Sequence, residues 1–128
     1  GGVGEVMHCE FVIPGPPVPK ARARYSGSGR GGFYTPEKTK EAESDIDILF
    51  HEAVGLGLVE DKKSHFGVGC IFYTKDRRKL DVDNLLKLVL DGINGLWGDD
   101  SQVWGLYATR YVDKDNPRTE VRIWTLEE

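Results

Sequence analysis

The sequence predicts a single small α+β domain in which a mixed β-sheet packs against helices. Three observations support this class. The chain has 128 residues, the length of one ordinary domain, and contains neither an internal repeat nor a linker. Four segments have the composition of strands, and two carry apolar residues at helical spacing. Their order along the chain is β-α-β-α-β-β.

The four strands are separated by proline, glycine or other turn residues. We predict them at residues 9–13, 65–74, 103–112 and 119–126. The second strand has its large apolar residues on one parity, which indicates one buried face made of Phe66, Val68, Cys70 and Phe72. Because only the turn residues 113–117 separate the last two strands, we expect these strands to form a hairpin.

Two helices are predicted from apolar spacing and from end signals. The first begins at Thr35 and Pro36, a cap residue followed by proline at the first helical position, and ends near residues 55–57. The second begins at Asp83 or Asn84 and ends at residues 94–95. The buried faces are predicted to contain Ala42, Ile46, Leu49, Phe50 and Ala53 in the first helix and Leu85, Leu86, Leu88, Val89 and Ile93 in the second.

The remaining segments are expected to lie outside this core. Residues 1–6 directly precede Met7, so we interpret them as a vector-derived remnant ahead of a domain at 7–128. Residues 14–32, rich in proline, glycine and arginine, are predicted to form a loop. Cys9 and Cys70 have no CxxC spacing, and no apolar run is long enough to span a membrane. We therefore expect reduced, buried cysteines and a cytoplasmic protein.

Charges of opposite sign are segregated along the chain. The formal net charge of −4 argues against a simple basic DNA-binding protein. However, residues 20–30 contain four basic residues and no acid, and residues 75–79 contain four basic residues and one acid. Acids are concentrated at residues 37–47, at 81 and 83, and at 99–100. This distribution suits an enzyme that handles a polyanion through metal ions.

Four acids and a lysine form the pattern with the most chemical meaning. Asp81 and Asp83 are two residues apart, so in extended chain they project to the same side and could share a divalent cation. One acid from Asp99 and Asp100 would complete an open Mg²⁺ site, since adjacent side chains point apart. Lys87 follows Asp83 by one helical turn, where its ammonium could hold a scissile phosphate.

The same residues also have simpler explanations. Asp83 or Asn84 could be an ordinary helix N-cap, with Lys87 as its surface ion-pair partner, and spacing alone favours this alternative. Asp99 and Asp100 could belong to a plain turn, and the basic segment could be a solvated loop. The histidines have no metal-binding spacing, and the tryptophans are expected to be core or interface anchors.

Four segments together resemble the RusA family of Holliday junction resolvases. They are residues 15–24, 34–36, 80–91 and 97–103, and the similarity runs in order from Phe11 to about Ile123. The specific part is Asp-x-Asp-Asn-x-x-Lys followed by Asp-Asp-x-Gln-Val. The basic N-terminal motif is less specific, and Ala21 and Ala23 stand where glycine and proline are common in the family.

The resemblance implies a RusA-like endonuclease domain at 7–128 that acts as a homodimer. Such an enzyme uses Mg²⁺ or Mn²⁺ to nick two symmetric strands of a four-way DNA junction, in the cytoplasm of a bacterium or a phage-infected host. The family's metal-holding catalytic acids match Asp81, Asp83 and Asp100, and its catalytic lysine matches Lys87. Asn84 would orient a carboxylate. Contacts with backbone phosphates are expected from Lys20, Arg22, Arg24, Arg77, Arg78 and Lys79.

Two alternative functions remain compatible with the sequence. One is a non-catalytic module that binds junctions or other DNA, although such a module has no need for three mutually repelling carboxylates beside a basic loop. The other is a nuclease of broader specificity that cuts flaps or replication forks. The acid set separates the first alternative from an enzyme, whereas only substrate comparison separates the second from a strict resolvase.

Overall fold

The computed structural model describes residues 4–20, 36–55, 60–93 and 95–127. Within these ranges the predicted α+β class, element order and mixed sheet are confirmed. A one-turn 3₁₀ helix at Asp100–Gln102 directly precedes the third strand. The other elements are β1 (Gly4–Pro14), α1 (Pro36–Val54), β2 (His65–Thr74), α2 (Val82–Gly92), β3 (Val103–Val112) and β4 (Arg118–Glu127).

The sheet has the order β1-β4-β2-β3, so the predicted hairpin between β3 and β4 is wrong. β3 pairs in parallel with β2, while β4 pairs antiparallel with both β1 and β2. The long connection through α2 favours the parallel pairing, which leaves β3 at the edge. The turn after β3 then crosses the end of β2, where the Asp113 N–H donates to the Thr74 carbonyl at 2.8 Å. β4 fits the central position because Thr119, Val121 and Ile123 are all buried.

Several element boundaries and one core residue differ from the sequence predictions. β1 begins at Gly4, which pairs with Glu127, so residues 4–6 belong to the sheet although we had left them out of the fold. α2 begins one residue earlier than predicted, with Asp81 at its N-cap, and it ends at Gly92 rather than at residues 94–95. Ala53 is exposed rather than buried, and Val54 packs against the core instead. The predicted cap Thr35 and most of the predicted loop lie outside the described residues.

Both helices cover one face of the sheet. The predicted alternation in β2 is confirmed, since Phe66, Val68 and Cys70 are fully buried beneath them. α1 crosses α2 at Gly92, where a Cβ would lie 2.7 Å from the Ile46 side chain. This close approach holds α2 with its leucines inward and its polar side outward. None of the described helices is long and apolar enough to cross a membrane.

The cysteines and tryptophans are distributed largely as expected. Cys9 and Cys70 are buried and unbridged, and burial raises the pKa of the Cys70 thiol to about 12. Trp97 packs against the edge of the core, and Trp124 lies over Gly67 on the sheet face that the helices leave uncovered. Trp104 is outside the core, since it is exposed on the edge strand and stacks on His65, so its expected role as an interface anchor stays a prediction.

Candidate active site

The outer side of α2 carries a stripe of alternating charge. Asp83 and Lys87 lie one turn apart, with 3.9 Å between the carboxylate Oδ2 and the ammonium Nζ. Asp91 continues the stripe one turn further along the helix. Because the apolar residues of α2 face the core, the side chains of Asp83, Lys87 and Asp91 are exposed to solvent.

The N-cap of α2 differs from the one that the capping alternative predicts. Asp81, rather than Asp83 or Asn84, occupies the N-cap, and its carbonyl accepts the N–H groups of Asn84 and Leu85, each at 3.1 Å. The Asp81 side chain makes no cap hydrogen bond. Asp83 lies in the first turn, and both carboxylates are exposed. The fold therefore leaves Asp81 and Asp83 accessible at the same end of the helix.

The acidic pair before β3 is divided between two roles. Asp99 caps the 3₁₀ helix, and its Oδ1 accepts the Ser101 N–H at 2.8 Å. Hydrogen bonds from the backbone and side chain of Ser101 lower the pKa of the Asp99 carboxyl. Asp100 is exposed and lines a cleft of about 280 Å³ together with Lys87 and Asp91. This geometry supports Asp100, rather than Asp99, as the member of the pair available for chemistry.

Gln102 holds the turn that carries Asp100, a role that our sequence reasoning missed. The buried amide accepts the N–H groups of Gly98 and Asp99 at 2.9 and 3.0 Å. It donates to the carbonyls of Asp61 and Ser64 at 2.8 and 3.0 Å. Asp99 and Gln102 thus form a capping box, whose pattern of a cap residue followed three positions later by glutamine is visible in the sequence.

The turn to which Gln102 is anchored is itself fixed by a carboxylate. Asp61 Oδ1 accepts the N–H groups of Lys63 and Ser64 at 2.9 and 2.8 Å. The side-chain hydrogen bond of Ser64, followed by the two backbone donors, lowers the pKa of the Asp61 carboxyl. The Asp61 N–H in turn donates to the Leu96 carbonyl at 2.7 Å. Asp61 and Asp99 therefore both stabilise turns, at the same end of the sheet.

The three predicted catalytic acids are not gathered into one group within a single chain. Asp81 and Asp91 mark the two ends of α2. Because an α-helix rises 1.5 Å per residue, these two residues are about 15 Å apart along the helix axis. Asp100 shares its cleft with the C-terminal half of that helix, away from Asp81 and Asp83. Across the described part of the chain, no three His, Cys, Asp or Glu residues are placed to hold a metal ion.

Lys20 contacts both helices. Its ammonium contacts the Asp91 carboxylate and lies 3.7 Å from Glu43 Oε1. The hydrogen bond with Asp91 is the main reason that the Lys20 pKa is raised. The Lys20 N–H also donates to the Asn84 carbonyl at 3.2 Å. The segment that leads into the basic loop is therefore docked along α2, between Asn84 and Asp91.

The other predicted DNA-binding residues fall into two groups. Arg22 and Arg24 lie outside the described residues. Arg77, Arg78 and Lys79 are exposed in the connection between β2 and Asp81. The Arg78 N–H donates to Asp76 Oδ1 at 2.9 Å, which fixes the start of this connection.

Comparison with known proteins identifies the family. A family model described as Endodeoxyribonuclease RusA matches residues 14–124. The chain belongs to the RusA family. It is also 29% identical over 120 residues to the crossover junction endodeoxyribonuclease RusA of Enterobacteria phage HK97, a similarity that covers 92% of this chain and 95% of the phage protein.

The RusA match contains both acidic pairs, Lys87 and the described basic connection. In this RusA family member the exposed carboxylates follow α2 from Asp81 and Asp83 at one end to Asp91 and Asp100 at the other. Lys87 lies between them and lines the cleft together with Asp100. This surface combines oxygen ligands suited to hard cations with an ammonium suited to phosphate.

Proposed function

We propose that this protein is a metal-dependent endodeoxyribonuclease that resolves four-way DNA junctions by symmetric hydrolysis of phosphodiester bonds. The observation that carries the proposal is the exposed charge along α2, where Lys87 lies one turn from Asp83 and lines a cleft together with Asp100. The name of the phage HK97 relative supports junction DNA as the substrate. That relative also supports activity in the cytoplasm of a phage-infected bacterium.

The exposed carboxylates fit Mg²⁺, with Mn²⁺ as a substitute. Asp81 and Asp83 provide the one or two carboxylates that Mg²⁺ takes together with waters and substrate phosphate, and Asp100 completes the set. When bound, the ion lowers the pKa of a coordinated water and polarises a phosphoryl oxygen. Lys87 donates to the scissile phosphate and offsets the negative charge that develops there. Asn84, in the first turn of α2, supports the carboxylates beside it.

The edge strand β3 supports a homodimer as the working unit. Large apolar side chains are exposed along it, namely Trp104, Leu106, Tyr107, Tyr111 and Val112. Its one charged side chain, Arg110, turns back to the Thr74 hydroxyl and the Asp76 carbonyl at 3.0 and 2.8 Å. An apolar edge without outward charge is a surface for strand pairing, and a second copy can pair with it about a two-fold axis.

Antiparallel pairing of β3 with its copy would also bring the separated acids together. Asp100 precedes the first residue of β3, whereas Asp81 and Asp83 lie at the end of the sheet where β3 terminates. Antiparallel pairing about the two-fold axis places the start of one β3 beside the end of the other. The dimer would then contain two equivalent sites. Each site would be formed by Asp81 and Asp83 from one copy and Asp100 from the other.

The activity is tested with a labelled four-way junction and a matched linear duplex, in Mg²⁺, in Mn²⁺ and in EDTA. We expect paired nicks in the junction with either metal ion, no cleavage in EDTA and little cleavage of the duplex. A junction that is bound and stays intact with every divalent ion would support the non-catalytic module. Equal cleavage of flaps and forks would support the nuclease of broader specificity.

The shared site is tested by mixing two inactive variants, Asp81→Asn and Asp100→Asn. A mixed dimer then contains one doubly altered site and one intact site. We expect each variant alone to be inactive and the mixture to regain single-strand nicking. If subunit exchange is verified and the mixture stays inactive, each site is formed within one chain.

A further inference from the structure

A second cleft, of about 290 Å³, lies beside the N-terminal end of α2. Its apolar lining comes from residues 16–18 and from Leu80, the residue before Asp81. Its polar lining comes from the start of α1 and from the connection that follows β2. The cleft is therefore adjacent to Asp81 and Asp83 and separate from the cleft that Asp100 lines.

Three basic side chains from different parts of the chain converge on this second cleft. Lys38 comes from the first turn of α1, Lys75 directly follows β2, and Arg78 lies in the connection to α2. All three are exposed. Lys38 is separated in sequence from the other two and lies within the acidic stretch 37–47, so local charge does not indicate it as a DNA contact.

Asp76, the one acid among the described residues that line the cleft, holds the connection in place. Asp76 Oδ1 accepts the Arg78 N–H at 2.9 Å, and Asp76 Oδ2 lies 3.8 Å from the Arg78 guanidinium. The Asp76 carbonyl accepts a hydrogen bond from Arg110 at 2.8 Å. Among the described residues, the lining therefore carries three basic side chains and one acid, beside a pair of carboxylates that repel DNA.

We propose that this cleft binds a backbone phosphate of the DNA arm that flanks the cut, with Lys38 and Lys75 as phosphate contacts beside Arg78. The proposal rests on the proposed function. An arm held here extends from the cut at Asp81 across the end of β2 toward the start of α1. The contact offsets the repulsion between the carboxylates and the DNA, and it acts on any sequence because phosphates carry no base identity.

The test measures DNA binding in EDTA, so that it does not depend on cleavage. Affinity for a four-way junction is determined as a function of NaCl concentration for the protein and for Lys38→Ala/Lys75→Ala. The matched control is Lys62→Ala/Lys63→Ala, which removes the same charge from exposed lysines before β2, at the opposite end of the sheet. Melting temperatures verify that both variants are folded.

We expect the Lys38→Ala/Lys75→Ala variant to lose about two units of log–log salt slope, since each phosphate contact contributes about 0.9. The control should keep the slope of the unaltered protein. A slope for the cleft variant equal to that of the control overturns the proposal. If the unaltered protein does not bind junctions, both the phosphate site and the proposed function are wrong. If junctions are bound and never cut while the slope still falls, the phosphate site stands and the enzymatic function fails.

Discussion

The two acidic pairs that flank α2 differ in how the fold uses their carboxylates. Before β3, Asp99 caps the 3₁₀ helix and accepts the Ser101 N–H, while its neighbour Asp100 lines the open cleft. Before and within α2, Asp81 occupies the N-cap without a side-chain cap hydrogen bond, and Asp83 is exposed. Among acids that look equivalent in sequence, Asp99 is thus the one whose side chain caps a helix, whereas the side chain of Asp81 does not cap α2.

The two pairs also differ in which interactions hold them in place. Asp100 follows a turn that the Gln102 amide links to two carbonyls of another loop. Asp81 and Asp83 are positioned by α2 itself, whose apolar side is buried against the core. A change in the hydrogen-bonded turn should therefore alter stability first, whereas a change at the exposed helix end should alter catalysis alone.

The largest expected effect is at the helix end. Asp81→Asn should lower the rate of junction cleavage by at least about 10²-fold, since even residues that only support metal ligands contribute 10–100-fold. Its melting temperature in EDTA should be unchanged or higher, because no side-chain cap hydrogen bond is lost and one of several like charges is removed. Retained cleavage in Asp81→Asn, together with a loss of about 1 kcal/mol in stability for Asp81→Ala, would instead indicate a helix cap, since asparagine caps a helix about as well as aspartate.

A large effect on stability is expected at Gln102. Gln102→Leu leaves the N–H groups of Gly98 and Asp99 and two carbonyls without their partner, so urea denaturation should show a loss of roughly 2 kcal/mol or more. Gln102→Glu keeps the two acceptor contacts and loses both donors. Its stability should recover in part at low pH, where the protonated carboxyl can donate again. Unchanged stability in both variants would show that this network does not hold the turn.

The smallest effect is the acid dependence of stability. Hydrogen bonds lower the folded-state pKa values of Asp61 and Asp99. Their contribution is therefore complete above the unfolded value of about 3.9 and is lost as the pH falls through the lower folded values. Melting temperature should be flat from neutral pH to about pH 5 and fall below about pH 4. Asp99→Asn should weaken this fall, and an identical profile for the variant would contradict the role of Asp99 as a charged cap.

Local patterns predicted most of the elements but not their neighbours in the sheet. Periodicity located β2 at His65–Thr74 and β3 at Val103–Val112, since burial of alternate residues is a local property of a strand. It could not show that β4 inserts between β1 and β2, because strand order depends on contacts between distant segments. The exposed apolar residues of β3 are the consequence of its edge position.

The candidate site was predictable in its residue types and less so in its geometry. Spacing placed Asp83 and Lys87 on one stripe of α2, as the structure has them. The pairing of Lys20 with Asp91 joins residues 71 positions apart, which no local pattern reveals. The distance between Asp81 and Asp100 likewise depends on the direction of α2 across the sheet. The expected phosphate contacts of Lys20 stay a prediction.

Parallel cleavage assays of Asp99→Asn and Asp100→Asn on a four-way junction, in Mg²⁺ and in EDTA, test most directly whether the exposed carboxylates form a metal-dependent active site. Both variants remove one charge from the same turn, so each is the control for the other. We expect cleavage by the unaltered protein in Mg²⁺ alone, loss of cleavage in Asp100→Asn, and at least partial activity in Asp99→Asn. Full activity of Asp100→Asn together with an inactive Asp99→Asn would contradict this assignment.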